Sequence, residues 1–181
     1  MKKIILFIMC LYLGGMIMSC ALDKADVFTV ISPIIKNNTT MPNALVFNGY
    51  GCTGGNKAPE LSWTNAPSNT KSYAIVCHDP DAPRENGWYH WLVVNIPTDV
   101  NSYKGTVPKG AIETVTDFGS TGYGGACPPR GHGIHHYNFT VYALDVDKLS
   151  VTKETAPKKV HDEIIKHTVA KSTITVTYER N

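Results

Sequence analysis

The chain has 181 residues, 17 of them basic and 15 acidic, with 43% apolar. That length suggests one domain, and that apolar share is enough for an ordinary core. Lys2 and Lys3 lie in an N-terminal apolar leader, so 15 basic residues remain against 15 acidic ones, and a neutral body without a basic run argues against nucleic acid as the partner.

Residues 1–19 read as a secretory signal. Met1-Lys2-Lys3 is a short basic start, and Ile4–Met18 is an apolar run too short for a comfortable membrane span. It ends in Ile17-Met18-Ser19-Cys20, which resembles a bacterial lipobox with Cys20 as the lipidated residue. Plain secretion is the alternative, because Met18 is unusual at the middle position. The expected location is the cell envelope or periplasm, with membrane attachment only through the N-terminal lipid. Residues 20–26 form a tether, and 27–181 are expected to be a single domain.

Val27–Ile31 reads as a first strand. The glycine-rich stretch from Phe47 to Ser62 forbids a helix and enters a short strand at Leu61–Trp63. Ser72–Cys77 and Trp91–Ile96 are apolar, β-prone runs, and Ala111–Val115 is a weaker one. Phe118–His136 is a second Gly/Pro-rich loop. Asn138–Leu144 suits a strand buried on both faces. Val160, Ile164, Ile165 and Val169 recur at helical spacing within Pro157–Ala170, with Pro157 in the first turn. Ser172–Tyr178 alternates threonines with Ile174, Val176 and Tyr178, the pattern of a half-buried strand. Many short strands with one convincing helix imply a mainly β fold, a sandwich with helical decoration.

The two apolar runs at 72–77 and 91–96 flank a polar link. Within it, Asp79 and Ala82 each precede a proline, which stiffens Asp79–Pro83. Asp79 and Asp81 stand two apart, on one side of an extended chain. Like charges held together need cations or donors between them, and His78 and His90 are the nearest candidates. Trp88, Tyr89 and Trp91 add an aromatic wall beside His90. The competing reading is a plain surface turn, since Asp and Pro are common there. The second loop holds Gly122–Gly125, Cys127-Pro128-Pro129-Arg130, His132, His135, His136 and Tyr137. Five of the seven histidines fall in these two loops.

Three cysteines remain outside the leader and Cys20. One bridge plus one free thiol is the simplest arithmetic in an oxidising setting. Cys52 and Cys127, both in glycine-rich loops, are paired, and Cys77 is left as a buried thiol. Three unlinked thiols are the alternative.

Asp79-Pro80-Asp81-Ala82-Pro83, the block from Trp88 to Asn95, Cys127-Pro128-Pro129-Arg130-Gly131 with His135-His136-Tyr137, and the loop from Gly51 to Trp63 together resemble the phosphatidylethanolamine-binding proteins. The likeness is greatest to their bacterial Raf kinase inhibitor-like branch, the YbhB/YbcL type, and it covers Val27–Tyr178. It implies a β-sandwich of antiparallel, Greek-key sheets with a few peripheral helices, one near the C-terminus. It also implies a small anion pocket taking phosphate, phosphorylated head groups or acetate-like anions. Carried over residue by residue, the pocket wall is Asp79, Asp81, Pro83, His90, Pro128, His135 and Tyr137, with backbone at Gly125 and Cys127. Members are described as lipid-binding, as kinase-pathway regulators or as protease inhibitors, and fold alone does not choose among these roles. The family usually has Arg where this chain has His136, which replaces a fixed charge by a titrating one.

Carboxylates in an anion site are reconciled if each Asp holds an imidazole by one ring N–H while the other N–H faces the ligand. Two rivals stand beside binding. A metal held by His132, His135, His136 and an Asp lacks a zinc-type spacing, and no metal or cofactor is expected. A hydrolase using Asp79, His90 and Tyr137 as acid and base lacks an evident nucleophile: Ser62, Thr53 and Ser120 have no base partner, and Cys127 would serve only if unbridged. The expected partner is therefore a small anion. A protein target and a homodimer are left open.

Overall fold

The computed structural model describes residues 27–181, so the leader, Cys20 and the tether lie outside the described residues. In chain order the strands are β1 (Thr29–Ile31), β2 (Thr39–Thr40), β3 (Asn48–Gly49), β4 (Cys52–Thr53), β5 (Leu61–Thr64), β6 (Ser72–Asp79), β7 (Trp88–Pro97), β8 (Ser102–Tyr103), β9 (Ile112–Glu113), β10 (His135–Leu144) and β11 (Thr168–Tyr178). The helix α1 (Pro157–Lys166) lies between the last two, and a 3-10 turn occupies Asn43–Leu45.

Six strands form the main sheet in the order β2-β11-β10-β6-β7-β9. All its pairs are antiparallel except β2 with β11. A second sheet has the order β1-β5-β8, and β3 and β4 form a small hairpin. The expected mainly β sandwich is thus what the chain builds.

The long central strands explain the continuous apolar runs, because both of their faces are covered. On one face Ile75, Cys77, Trp91, Val93, Phe139 and Val141 pack against Val30, Leu61 and Trp63 of the second sheet. On the other, Val76, Leu92, Val94 and Leu144 meet Val160 and Ile164 of α1. Each such fully buried side chain contributes roughly 1.5–3 kcal/mol by leaving water. β11 has β10 on one side and the two-residue β2 on the other, and only Ile174 and Val176 within it are buried. Its threonine alternation therefore survives in the structure.

Several boundaries differ from the sequence reading. The helix expected over 157–170 stops at Lys166. Val169 fits helical spacing, but β10 captures this stretch instead, pairing Ala143 with Ala170 and Leu144 with Thr168. The Thr168 hydroxyl donates to the Ile164 carbonyl at 2.6 Å and closes the last helical turn. The strand expected at Ala111–Val115 shrinks to β9. Finally, β6 runs on to Asp79, β7 begins at Trp88 and β10 begins at His135, so residues expected in loops ride on rigid strands.

Cys52 and Cys127 form a disulfide with Cα atoms 6.0 Å apart. The free cysteine among the described residues is Cys77, buried within β6. Among the described residues no helix is long and apolar enough to cross a membrane.

Candidate functional site

Strands β10, β6 and β7 are neighbours, and each ends or begins at the same end of the sheet. On β10, His135 and Tyr137 continue the inward row Phe139–Val141–Ala143. On β6, Asp79 continues the row Ile75–Cys77. Simple alternation on β7 would send His90 outward, because Trp91 faces inward. A bulge prevents this: Cys77 pairs with Trp91 and His78 with Tyr89, leaving His90 as the extra residue. Tyr89 then joins the helix-side core while His90 and Trp91 share the inner face.

These four side chains close the floor of a cavity of about 220 Å3. Asp79, His90, His135 and Tyr137 are only 3%, 4%, 1% and 1% exposed, so the floor is deeply recessed. The walls are Tyr50, Ala82, Pro83, Arg84, Trp88, Phe118, Cys127, Pro128 and Pro129. Phe118 organises the aromatic side, edge-on to both Trp88 (5.3 Å) and His90 (5.5 Å), while Arg84 lies 4.9 Å over the Trp88 ring.

The hydrogen bonds define what the floor offers. His135 Nδ1 donates to Asp79 Oδ2 at 2.7 Å, and the Asp81 backbone N–H donates to Asp79 Oδ1 at 2.9 Å. His135 Nε2 is 2.7 Å from Nδ1 of His132. His90 Nδ1 donates to the Gly124 carbonyl at 2.7 Å. Burial holds the His90 pKa down at about 4, although the Gly124 carbonyl and the Asp79 charge pull the other way. Its imidazole is therefore neutral at neutral pH, with Nε2 carrying a lone pair. The Tyr137 phenol is kept protonated, first by burial and then by the Asp79 charge. Arg84 also reaches Asp117 Oδ1 at 3.4 Å, a half-exposed pair.

Of the residues expected to bind, Asp79, Pro83, His90, Cys127, Pro128, His135 and Tyr137 line this cavity. Asp81 and Gly125 do not. The chain turns after Asp79, so Asp81 faces outward and accepts both the ring and the backbone N–H of His136, each at 2.7 Å. Partial burial raises the Asp81 carboxyl, but these bonds outweigh it and leave it below its ordinary range. Gly125 packs its backbone against the Leu45 carbonyl, where any side chain would collide, and its N–H goes to Asn56 Oδ1 at 2.8 Å. It is thus spent on structure rather than on a ligand nest.

The imidazoles that meet the two carboxylates are His135 and His136, not His78 and His90. His78 instead holds the Asn86 carbonyl at 2.8 Å and stacks on Tyr89. His136 stays at the surface with Asp81. Tyr50, Arg84 and Phe118 escaped the sequence reading as wall residues. Each sits within a few positions of a motif, but only contact geometry turns them inward. Arg180 escaped it too: its guanidinium donates to the carbonyls of Gly51 (3.3 Å) and Pro128 (3.2 Å), clamping the disulfide region of the rim.

His132, His135 and Asp79 are linked to one another in a chain rather than converging on a common point, and among the described residues no cluster of three or more His, Cys, Asp or Glu is arranged to hold a metal. Cys127 is consumed by the disulfide.

A two-sheet sandwich whose central strands end in one recessed, polar-floored and aromatic-walled cavity defines a small β-sandwich protein of ligand-binding type. The phosphatidylethanolamine-binding protein family model matches residues 31–179, and the chain belongs to that family. It is 42% identical to the YbcL protein of Escherichia coli over 86% of this chain and 90% of that one. It is 40% identical to the YbhB protein of the same organism, over 82% of this chain and 98% of that one. The crystal structure of E. coli YbcL, described as a new member of the mammalian PEBP family, superposes with a TM-score of 0.83, covering 86% of this chain and all of that one.

Proposed function

We propose that this protein is an exported binding protein whose cavity takes the acid head group of a small anion, such as a phosphate, a phosphorylated head group or an acetate-like carboxylate. The observation that carries the reading is the convergence of Asp79, His90, His135 and Tyr137 on one buried floor with Arg84 at the wall. A volume of about 220 Å3 suits a head group and excludes a whole lipid. Apolar walls around a few polar groups are the usual make-up of a small-molecule site.

Binding fits the wall better than turnover. Among the described residues that line the cavity there is no serine, threonine or lysine, and its cysteine is bridged. Tyr50, largely exposed, stands on the rim, where a partner kinase or protease would sense occupancy.

The test is calorimetric titration with phosphate and with a phosphorylated head group, together with native mass spectrometry of co-purifying small molecules. The expected result is one site per chain, weakened at least tenfold in the His90→Ala variant. Unchanged affinity in that variant would place the ligand elsewhere. Turnover of a phosphodiester or an ester, lost with His90→Ala, would replace binding by hydrolysis.

A further inference from the structure

We infer that the cavity selects a phosphomonoester in its singly charged, hydrogen-bearing form, whose P–OH group donates to Nε2 of His90. This deepens the anion reading and rests on it. The argument is one of unmatched donors and acceptors. The Gly124 carbonyl can only accept, so the His90 proton must sit on Nδ1. Nε2, which has no partner among the described residues, then presents a lone pair to the cavity that His90 lines. It becomes a donor only as imidazolium, and burial disfavours that form down to about pH 4.

His135 does not compensate. Its Nδ1–H is committed to Asp79, and its Nε2 already faces His132. Asp79 contributes acceptor oxygens alone. The charged or titratable groups around His90 are Asp79 and His78 from β6, His135 and Tyr137 from β10, and Arg84 from the link between β6 and β7. Of these, the Tyr137 hydroxyl is turned to the Asp79 carboxylate, and Arg84 offers a guanidinium that receives one charged phosphate edge. A fully ionised phosphomonoester would set a second negative charge, with only acceptor oxygens, against a lone pair and a carboxylate. Unmatched acceptors held against so recessed a floor are costly. Keeping one proton on the ligand turns the His90 contact from repulsive to bonding. The aromatic side formed by Phe118 and Trp88 would receive the ester substituent.

Phenyl phosphate and phenyl sulfate separate this from other origins of pH dependence. The sulfate matches the singly protonated phosphate in charge and shape but has no O–H. Calorimetric titrations of the intact protein, from about pH 5 to about pH 8 in two buffers of different protonation heat, should show three things. At about pH 5 the sulfate binds at least tenfold more weakly than the phosphate. The phosphate affinity falls about tenfold per pH unit above its second ionisation near pH ~6. At about pH 8, phosphate binding takes up about one proton. Equal affinities for the two would overturn the inference and leave the anion pocket standing. So would a parallel decline of both with pH, which would put the proton on the protein instead of on the ligand. Binding of neither compound at any pH would overturn the inference and the anion reading together.

Discussion

His135 and Asp79 share a 2.7 Å hydrogen bond sealed in the floor of the cavity, whereas the next pair along, His136 and Asp81, makes a bond of the same length at the surface. Equal geometry predicts unequal energetics. Asp79→Ala strands the buried His135 N–H, which should cost on the order of 3 kcal/mol. Asp81→Ala releases a solvated pair and should cost about 1 kcal/mol or less. Urea unfolding of the two variants is the check, and equal losses would mean that burial is not what gives the floor pair its strength.

Acid should destabilise the fold through its buried histidines. His90 and His161 both have folded-state pKa values of about 4, lowered chiefly by burial, while an unfolded histidine titrates near ~6.5. Between these values the unfolded chain binds more protons than the native one. The neutral imidazoles therefore contribute stability that is complete above pH ~6.5 and is lost as pH falls towards ~4. The loss is at most roughly 1.4 kcal/mol per pH unit for each histidine, and smaller for the half-buried His161. His161 sits between the Tyr89 and Tyr142 hydroxyls, at 2.9 Å and 3.0 Å, so His161→Gln should remove its share of the slope. Unfolding free energies that stay flat from pH ~7 to ~4.5 would contradict this.

Reduction of the Cys52–Cys127 bridge should weaken both the fold and the site. The bridge spans a sequence separation of 75, for which loop-closure entropy amounts to about 4 kcal/mol. It also ties the β3–β4 hairpin to the rim, where Tyr50 and Cys127 form part of the wall. The double variant Cys52→Ser, Cys127→Ser should lower Tm by several degrees and weaken phosphate binding. A lowered Tm with full affinity would mean that Arg180 holds the rim without help.

The leader and Cys20 lie outside the described residues, and export with lipidation there is a proposal carried by the Ile17-Met18-Ser19-Cys20 run. Intact mass of protein from the membrane fraction should give a chain beginning at a diacylated Cys20. A product that retains Met1 would refute it.

Much of the fold was legible because side-chain periodicity is a local property. The threonine alternation of 173–177 marked a half-buried strand, and the apolar runs at 72–77 and 91–96 marked a doubly covered sheet. The cavity wall was legible for another reason. Asp79, His90, His135 and Tyr137 stand at the ends of strand-like runs, and runs that pair in register bring their ends together.

What the tertiary structure alone decided is which partner each polar atom takes. Val169 was compatible with helix or strand until β10 supplied the pairing. Alternation would have turned His90 outward, and a bulge against β6 turned it in. The Gly125 N–H met Asn56, 69 residues away, and His135 met His132 instead of presenting a free N–H. The sequence by itself therefore determined the sheet-forming runs, the order of the motifs and the residue types at the cavity floor. Only the folded chain decided their hydrogen-bonding state, because a donor with several acceptors of similar chemistry goes to the one that packing brings within about 3 Å, and that distance is set by contacts remote in sequence.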